Sequence, residues 1–113
     1  MDKPKVGIPQ IFKVSGVSFY QEIVNSLKED EQVFLEKDPE NKYDSNAIKL
    51  INSKGDMLGF IPKKYKIGTE EIILNKLVLT KYNKLTTKFK VIVHSINKWD
   101  GPTGLEVRFQ KNL

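Results

Sequence analysis

The chain has 113 residues, the size of one compact domain, and carries a formal net charge of +5. It contains no cysteine and one histidine, which excludes disulfide scaffolds, thiolate zinc sites and cysteine nucleophiles and argues against histidine metal clusters and Ser-His-Asp triads. Hydrophobic residues make up 39% of the chain and charged residues 29%, so the composition is that of a folded protein rather than a disordered tail.

Positive charge is concentrated in the last two thirds of the chain. Residues 1–40 contain 5 basic and 8 acidic side chains, whereas residues 41–113 contain 14 and 6. Nearly all the basic residues are lysine, a mobile point charge that suits contacts with phosphate better than the reading of bases. The charge alone leaves two interpretations open. The protein could bind nucleic acid, or lysine could simply be the usual surface residue in a lysine-rich proteome.

The organisation of the chain is simple. No segment has the length and hydropathy of a signal peptide or a membrane span, so we expect a cytoplasmic protein that makes no membrane contact. Neither repeats nor Gly/Ser-rich linkers interrupt the sequence. We therefore expect a single domain over residues 1–113, with a core at 10–111 and a flexible N-terminal segment at 1–9.

The predicted elements of the first half are short. Imperfect alternation predicts a strand at 10–17. Ser18 and Gln21 then have the spacing of a capping box at the start of a short helix. Two further strands are predicted at 32–36 and 47–51, on either side of a polar loop.

The second half begins with a strand at 57–61, which we expect to pair antiparallel with the strand before it through a glycine-containing hairpin. Thr69 then has the character of a helix N-cap, and apolar residues at helical spacing extend this helix to Leu77. β-Branched and aromatic residues predict strands at 78–82, 88–96 and 105–110. Six or seven short strands with two short helices indicate a mainly β fold, a small and partly open β-barrel.

The most informative segment is the polar loop at 37–48. Asn41, Asp44 and Asn46 can hydrogen-bond their own backbone there, as Asx residues do in turns. Tyr43 is different, because an aromatic side chain on a polar turn needs either a core pocket or a ligand to face. A calcium loop is not indicated, since the positions of its turn glycine and closing glutamate hold Tyr43 and Lys49.

Three segments together resemble the HIRAN domain, a family found at the N-terminus of certain DNA helicases and translocases and also as stand-alone bacterial proteins. They are Gly-Val-Ser-Phe-Tyr at 16–20, Asp-Pro-Glu-Asn-Lys-Tyr-Asp-Ser-Asn-Ala-Ile at 38–48, and Gly-Phe-Ile-Pro-Lys at 59–63. The resemblance runs from about Ile11 to Ile73 and is weaker in the last two strands. It implies a modified oligonucleotide-binding barrel with two helices, in agreement with the strand count.

The resemblance also implies a function, the capture of a single-stranded DNA 3′ end without base specificity. Phe19 and Tyr43 would stack on bases, Asp44 would accept a hydrogen bond from the terminal hydroxyl, and Lys63 would contact phosphate. We expect no cofactor, no metal and no enzymatic activity, and a helicase or nuclease is the kind of partner implied. The candidate DNA-binding residues are Phe19, Tyr20, Asn41, Tyr43, Asp44, Asn46, Phe60, Lys63, Lys64 and Trp99.

This chain departs from the DNA-end-binding members at three places. Ser18 stands where some of them have arginine, and Phe60 stands where they have histidine. An aromatic residue of the final loop has no aligned equivalent, and Trp99 is the nearby residue that could replace it.

Alternative interpretations stay open for several residues. Asp44 and Asn46 could serve only to cap the turn, and Phe19 could pack the first helix onto the barrel. The basic run 63–66 could be a solvated loop. The departures at Ser18 and Phe60, with the acidic balance of residues 1–40, leave a protein–protein interaction domain that uses the same concave surface as the alternative function.

Overall fold

The computed structural model describes residues 9–81, 89–98 and 101–109. Along the chain these residues form β1 (Ile11–Lys13), a 3₁₀ turn (Val17–Phe19), α1 (Gln21–Val24), β2 (Gln32–Lys37), β3 (Ile48–Ile51), β4 (Met57–Phe60), β5 (Lys64–Ile67), β6 (Glu70–Ile73), α2 (Leu74–Lys81), β7 (Phe89–Asn97) and β8 (Gly104–Phe109). Six strands build one curled antiparallel sheet in the order β1-β8-β7-β2-β3-β4. The mainly β, partly open barrel expected from the sequence is confirmed.

The two edges of this sheet meet at one point. Just beyond β1, the N–H of Ser15 donates to the carbonyl of Phe60 at 2.9 Å, and the N–H of Phe60 donates to the carbonyl of Ser15 at 2.9 Å. Gly59 lies beside this joint, and a Cβ atom built on it would lie 2.5 Å from the Ser15 carbonyl oxygen. The close approach of the two backbones therefore requires glycine at position 59.

The core fills the concave side of the sheet. In β8 the alternation expected from the sequence is confirmed, because Leu105, Val107 and Phe109 are buried while Glu106 and Arg108 are only partly covered. The other strands of the sheet contribute their apolar side chains to the same cluster, among them Phe12, Val33, Leu35, Leu50, Leu58, Val91 and Val93.

The segment after β4 differs from the prediction. The helix expected at 69–77 is wrong in its first part, because β5 and β6 form a two-stranded hairpin that turns at Gly68, whose φ is 64°. The acidic residues that suggested a helix start lie in β6, where Glu71 pairs with Lys66 across the hairpin. The chain becomes helical only at Leu74.

The strand expected at 78–82 is also wrong for the part that the structure describes. Residues 78–81 continue α2, and Leu74 and Val78, one helical turn apart, are both fully buried. This spacing of four matches a helix that packs one face on the barrel, so burial overrides the β propensity of Val78. No helix among the described residues is long and apolar enough to cross a membrane.

The predicted capping box at Ser18 and Gln21 is wrong as well. Ser18 lies inside the 3₁₀ turn, and α1 starts after Tyr20 without a side-chain cap. The Gln21 amide instead donates to the carbonyl of Thr103 at 3.0 Å and accepts the Thr103 N–H at 2.7 Å. Gln21 thus ties α1 to the loop before β8 rather than closing its own helix.

Candidate nucleic-acid interface

An open pocket of about 310 Å³ lies where the joint of the barrel meets the loop between β2 and β3. The loop contributes Asn41, Tyr43, Asp44 and Ala47. The joint contributes Ser15, Phe60 and Ile61, and the remaining wall is formed by Lys63 and Asn75. Five of the predicted DNA-binding residues therefore line one pocket, although they come from positions 41 to 63 of the chain.

The β2–β3 loop is shaped by its own Asx side chains. The Asn41 Oδ1 atom accepts the backbone N–H groups of Tyr43 at 2.9 Å and Asp44 at 3.0 Å, while its Nδ2 donates to Asp38 at 3.2 Å. Asp44 Oδ1 accepts the N–H of Asn46 at 2.9 Å. The expectation that Asn41 and Asp44 order this turn is confirmed, whereas Asn46 takes part in these bonds through its backbone.

Asp44 also has a partner outside its loop. Its Oδ2 atom accepts a hydrogen bond of 2.8 Å from the Nδ2 of Asn75, the second residue of α2. The N–H of Asn46 holds the pKa of the Asp44 carboxyl below its ordinary value of 3.8; burial opposes this shift, and the Asn75 amide and the positive charges of Lys63 and Lys76 reinforce it. Asp44 is therefore an ionised acceptor at neutral pH.

Lys63 and Asn75 reach the same pocket because their segments are joined. The carbonyl oxygen of Lys63 accepts the N–H of Leu74 at 2.7 Å, which places the start of α2 beside the start of the β5–β6 hairpin. The Lys63 side chain is exposed at the rim, so a cation and a carboxylate lie in one cavity. This arrangement suits a ligand with a hydroxyl donor and a nearby anionic group.

Two aromatic side chains of the described residues are largely exposed to solvent. Tyr43 is 92% exposed at the pocket and Phe19 is 82% exposed at the end of the 3₁₀ turn. The interpretation that Phe19 packs the first helix onto the barrel is wrong, since Tyr20 and Ile23 make that contact with the core. The Phe19 and Tyr20 rings lie edge to face at 6.4 Å.

The other predicted site residues lie apart from the pocket wall. Phe19 and Tyr20 follow Ser15 along the chain, and Lys64 is the exposed first residue of β5. Asn46 is half-buried within the loop. Trp99, like the predicted N-terminal segment up to residue 8, lies outside the described residues.

Sequence reasoning missed Ser15, Asn75 and Lys76. The sequence signal for Asn75 was weak, because Asn75 and Lys76 both interrupt the apolar residues at 72–74 and 77–79; the structure shows that Asn75 is only 2% exposed. A buried polar residue of this kind needs a partner, and Asp44 is that partner.

Comparison with known proteins relates this sequence to one family of domains. A family model described as the HIRAN domain matches residues 10–95. Helicase-like transcription factors are similar in sequence: the human protein is 39% identical over 64 residues, the rabbit (Oryctolagus cuniculus) protein 38% over 64, and the mouse protein 37% over 65. These alignments cover 57–58% of this chain but 6% of each relative. No solved structure matches significantly.

Proposed function

Because the chain belongs to the HIRAN domain family, a family of DNA-binding domains, we propose that it is a non-enzymatic module that binds single-stranded DNA and prefers a free 3′ end. The observation that carries this proposal is the Asp44 carboxylate, which lines a pocket beside the exposed Tyr43 ring. A stacking surface next to a hydrogen-bond acceptor suits the last nucleotide of a strand.

The carboxylate supplies the preference for an end. An ionised Asp44 can only accept hydrogen bonds, and a terminal 3′-hydroxyl can donate one. A strand that continues past the pocket, or that ends in a phosphate, lacks this proton and brings a negative charge towards the carboxylate. Like charges placed together cost several kcal/mol at an interface, so such ligands are rejected.

The aromatic side chains supply affinity without base specificity. Stacking of a base on an aromatic ring is worth about 1–3 kcal/mol and tolerates any base. In this proposal Tyr43 stacks on one base at the pocket, and Phe19 stacks on another base at the 3₁₀ turn. Their exposure supports these roles, because neither ring is needed to fill the core.

Lysines supply the contacts with phosphate. Lys63 lies at the pocket rim and Lys64 follows it on β5, and Lys76 is close enough to act on Asp44. Ser18 and Phe60 carry no charge, so in this chain these lysines neutralise the DNA backbone. The resulting affinity falls as salt rises.

Fluorescence anisotropy with short 5′-labelled oligothymidines tests the proposal. A 3′-hydroxyl strand is expected to bind at least about tenfold more tightly than the same strand with a 3′-phosphate, which corresponds to about 1.4 kcal/mol. Circular single-stranded DNA is expected to compete poorly. Equal binding of the two strands would remove the end preference.

The pathway proposed for this module is the repair or processing of DNA ends. A binding module needs a separate helicase or nuclease for the chemistry, and the relatives' own name, helicase-like transcription factor, supports a partner of that kind. If no oligonucleotide binds and a stoichiometric protein is recovered from nuclease-treated lysate, a protein–protein interaction domain replaces this proposal.

A further inference from the structure

Asn75 is an unusual core residue. Among the described residues, only Asn75 and Thr103 are polar and buried. Thr103 uses its N–H, hydroxyl and carbonyl groups in hydrogen bonds to α1 and the residue after it. Asn75 Nδ2 is bonded to Asp44, but its buried Oδ1 atom has no hydrogen-bond partner in the described part of the chain.

The orientation of the Asn75 amide follows from chemistry. An ionised carboxylate has no proton to donate, so the amide nitrogen must face Asp44 Oδ2 at 2.8 Å. Turning the amide over would place two acceptor oxygens against each other. The bond to Asp44 is therefore made only by leaving Oδ1 unpaired, and an unpaired buried acceptor lowers stability.

A leucine at this position would avoid that cost. It has a similar size, a higher helix propensity and no polar atom, and its neighbours Leu74 and Val78 are fully buried. A stability cost of this kind is expected at sites where function requires the residue. Among the described residues, the one hydrogen bond that the Asn75 side chain makes is the one with Asp44.

That contact bridges two separate parts of the fold. Asp44 lies in the β2–β3 loop, where its other bond, to the N–H of Asn46, is local. Asn75 anchors the second carboxylate oxygen to α2, 31 residues away in sequence. With one oxygen bonded to the loop and the other to α2, the carboxylate is held in one orientation at the pocket that it lines.

We propose that Asn75 is the positioning residue of the pocket: it holds the Asp44 carboxylate in the orientation in which a terminal hydroxyl can donate to it, at a cost in the stability of the domain. This inference rests on the proposed function, and it adds to it a residue on α2. The charged groups near this carboxylate, Lys63 and Lys76, contribute attraction but no fixed direction.

Asn75→Leu tests the inference, with Gln32→Leu on the exposed side of β2 as a matched amide-to-leucine control. The Asn75 variant is expected to melt at or above the wild-type temperature. Its preference for the 3′-hydroxyl over the 3′-phosphate strand is expected to fall about threefold to tenfold, the worth of one hydrogen bond. Gln32→Leu is expected to keep the preference.

A second variant and a second measurement separate positioning from a general effect on folding. Asn75→Asp keeps the shape but places an acceptor against Asp44, so it is expected to remove the preference even where the fold is retained. Without DNA, NMR titration of the Asp44 carboxyl is expected to give a higher pKa in Asn75→Leu than in the wild type.

The outcomes distinguish this inference from the function on which it rests. A wild-type protein that binds both strand ends equally removes the end preference, and the role of Asn75 with it. If the wild-type protein prefers the 3′-hydroxyl strand and the Asn75→Leu variant shows the same preference, only the role of Asn75 is excluded.

Discussion

The side-chain oxygen of Asn41 accepts the backbone N–H of Asp44 at 3.0 Å. Asn41 thus holds in place the residue that is proposed to recognise the 3′ end of a DNA strand. The same oxygen accepts the N–H of Tyr43. One side chain thus sets the positions of both the carboxylate and the exposed ring.

Asn41→Ala is expected to lower stability by about 0.5–2 kcal/mol, as the loss of a capping side chain does, and to weaken binding of all single-stranded DNA. Asn52→Ala is the matched control, since Asn52 Oδ1 accepts the N–H groups of Lys54 and Asp56 in the β3–β4 hairpin. Urea unfolding should show similar losses for the two variants, whereas anisotropy should show weaker DNA binding for Asn41→Ala only. Equal DNA binding by both would contradict a role for the loop.

Asp44→Asn is expected to leave the melting temperature nearly unchanged. The new amide oxygen can still accept the N–H of Asn46, and Asn75 can turn its amide to accept the new N–H₂ group. The preference for a 3′-hydroxyl over a 3′-phosphate should narrow, because the repelling charge is gone. Asp44→Ala, by contrast, leaves both donors without a partner and should cost about 0.5–2 kcal/mol. If the Asp44→Asn variant keeps the full preference for the 3′-hydroxyl strand, the carboxylate has only a structural role.

The stability of the domain should depend on pH through Asp44. Its folded-state pKa lies below the ordinary value of 3.8, so between these two values the unfolded chain binds more protons than the folded one. The contribution of Asp44 is therefore complete above about pH 3.8 and is lost as the pH falls through the folded-state pKa. Chemical unfolding of the wild type and Asp44→Asn from pH 7 to 3 measures this difference. A difference that does not change over that range would contradict the shift.

Tyr43→Ala is expected to weaken binding of every single-stranded ligand by about 1–3 kcal/mol, the worth of one stacked base, without changing the end preference. Because the ring is 92% exposed, its removal should leave the melting temperature unchanged. Ile11→Ala removes another exposed apolar side chain away from the pocket and serves as the control in the same anisotropy titration. Unaltered DNA affinity in Tyr43→Ala would exclude stacking at this position.

Gly59→Ala is expected to destabilise the fold by about 1–3 kcal/mol or more, as overpacking does, because the added carbon would lie 2.5 Å from the Ser15 carbonyl oxygen. Gly104→Ala is the comparison, since the nearest atom to its added carbon is 3.9 Å away. Thermal melting of the two variants measures the difference. Similar melting temperatures would show that the joint can open without cost.

The barrel could be predicted from the sequence because its strands carry their own signals. Alternation in Leu105, Val107 and Phe109 and the glycine turn at Gly55 both indicate local structure that the fold retains. The β5–β6 hairpin could not be predicted in this way. Its first strand is rich in lysine, and Glu70 and Glu71 next to Thr69 are typical of a helix start.

The residues of the candidate site also fall into those that a sequence pattern can group and those that it cannot. The loop residues Asn41, Tyr43 and Asp44 lie within four positions of one another, so a sequence pattern can group them. Asn75 joins them only through tertiary structure, because the Lys63 carbonyl bonded to Leu74 fixes the start of α2, and the bond from Asn75 to Asp44 then connects α2 to the loop. Position along the chain carries no information about that contact.

The pocket lies at the bridge between Ser15 and Phe60, where the two edges of the sheet are joined. Both residues line the cavity, and they belong to opposite edges of the same sheet. If a ligand in the pocket contacts both edges, its binding and the closure of the barrel are thermodynamically linked, and each favours the other by the same free energy. A protein tethered to this domain that pulled the edges apart would, by the same linkage, release the ligand.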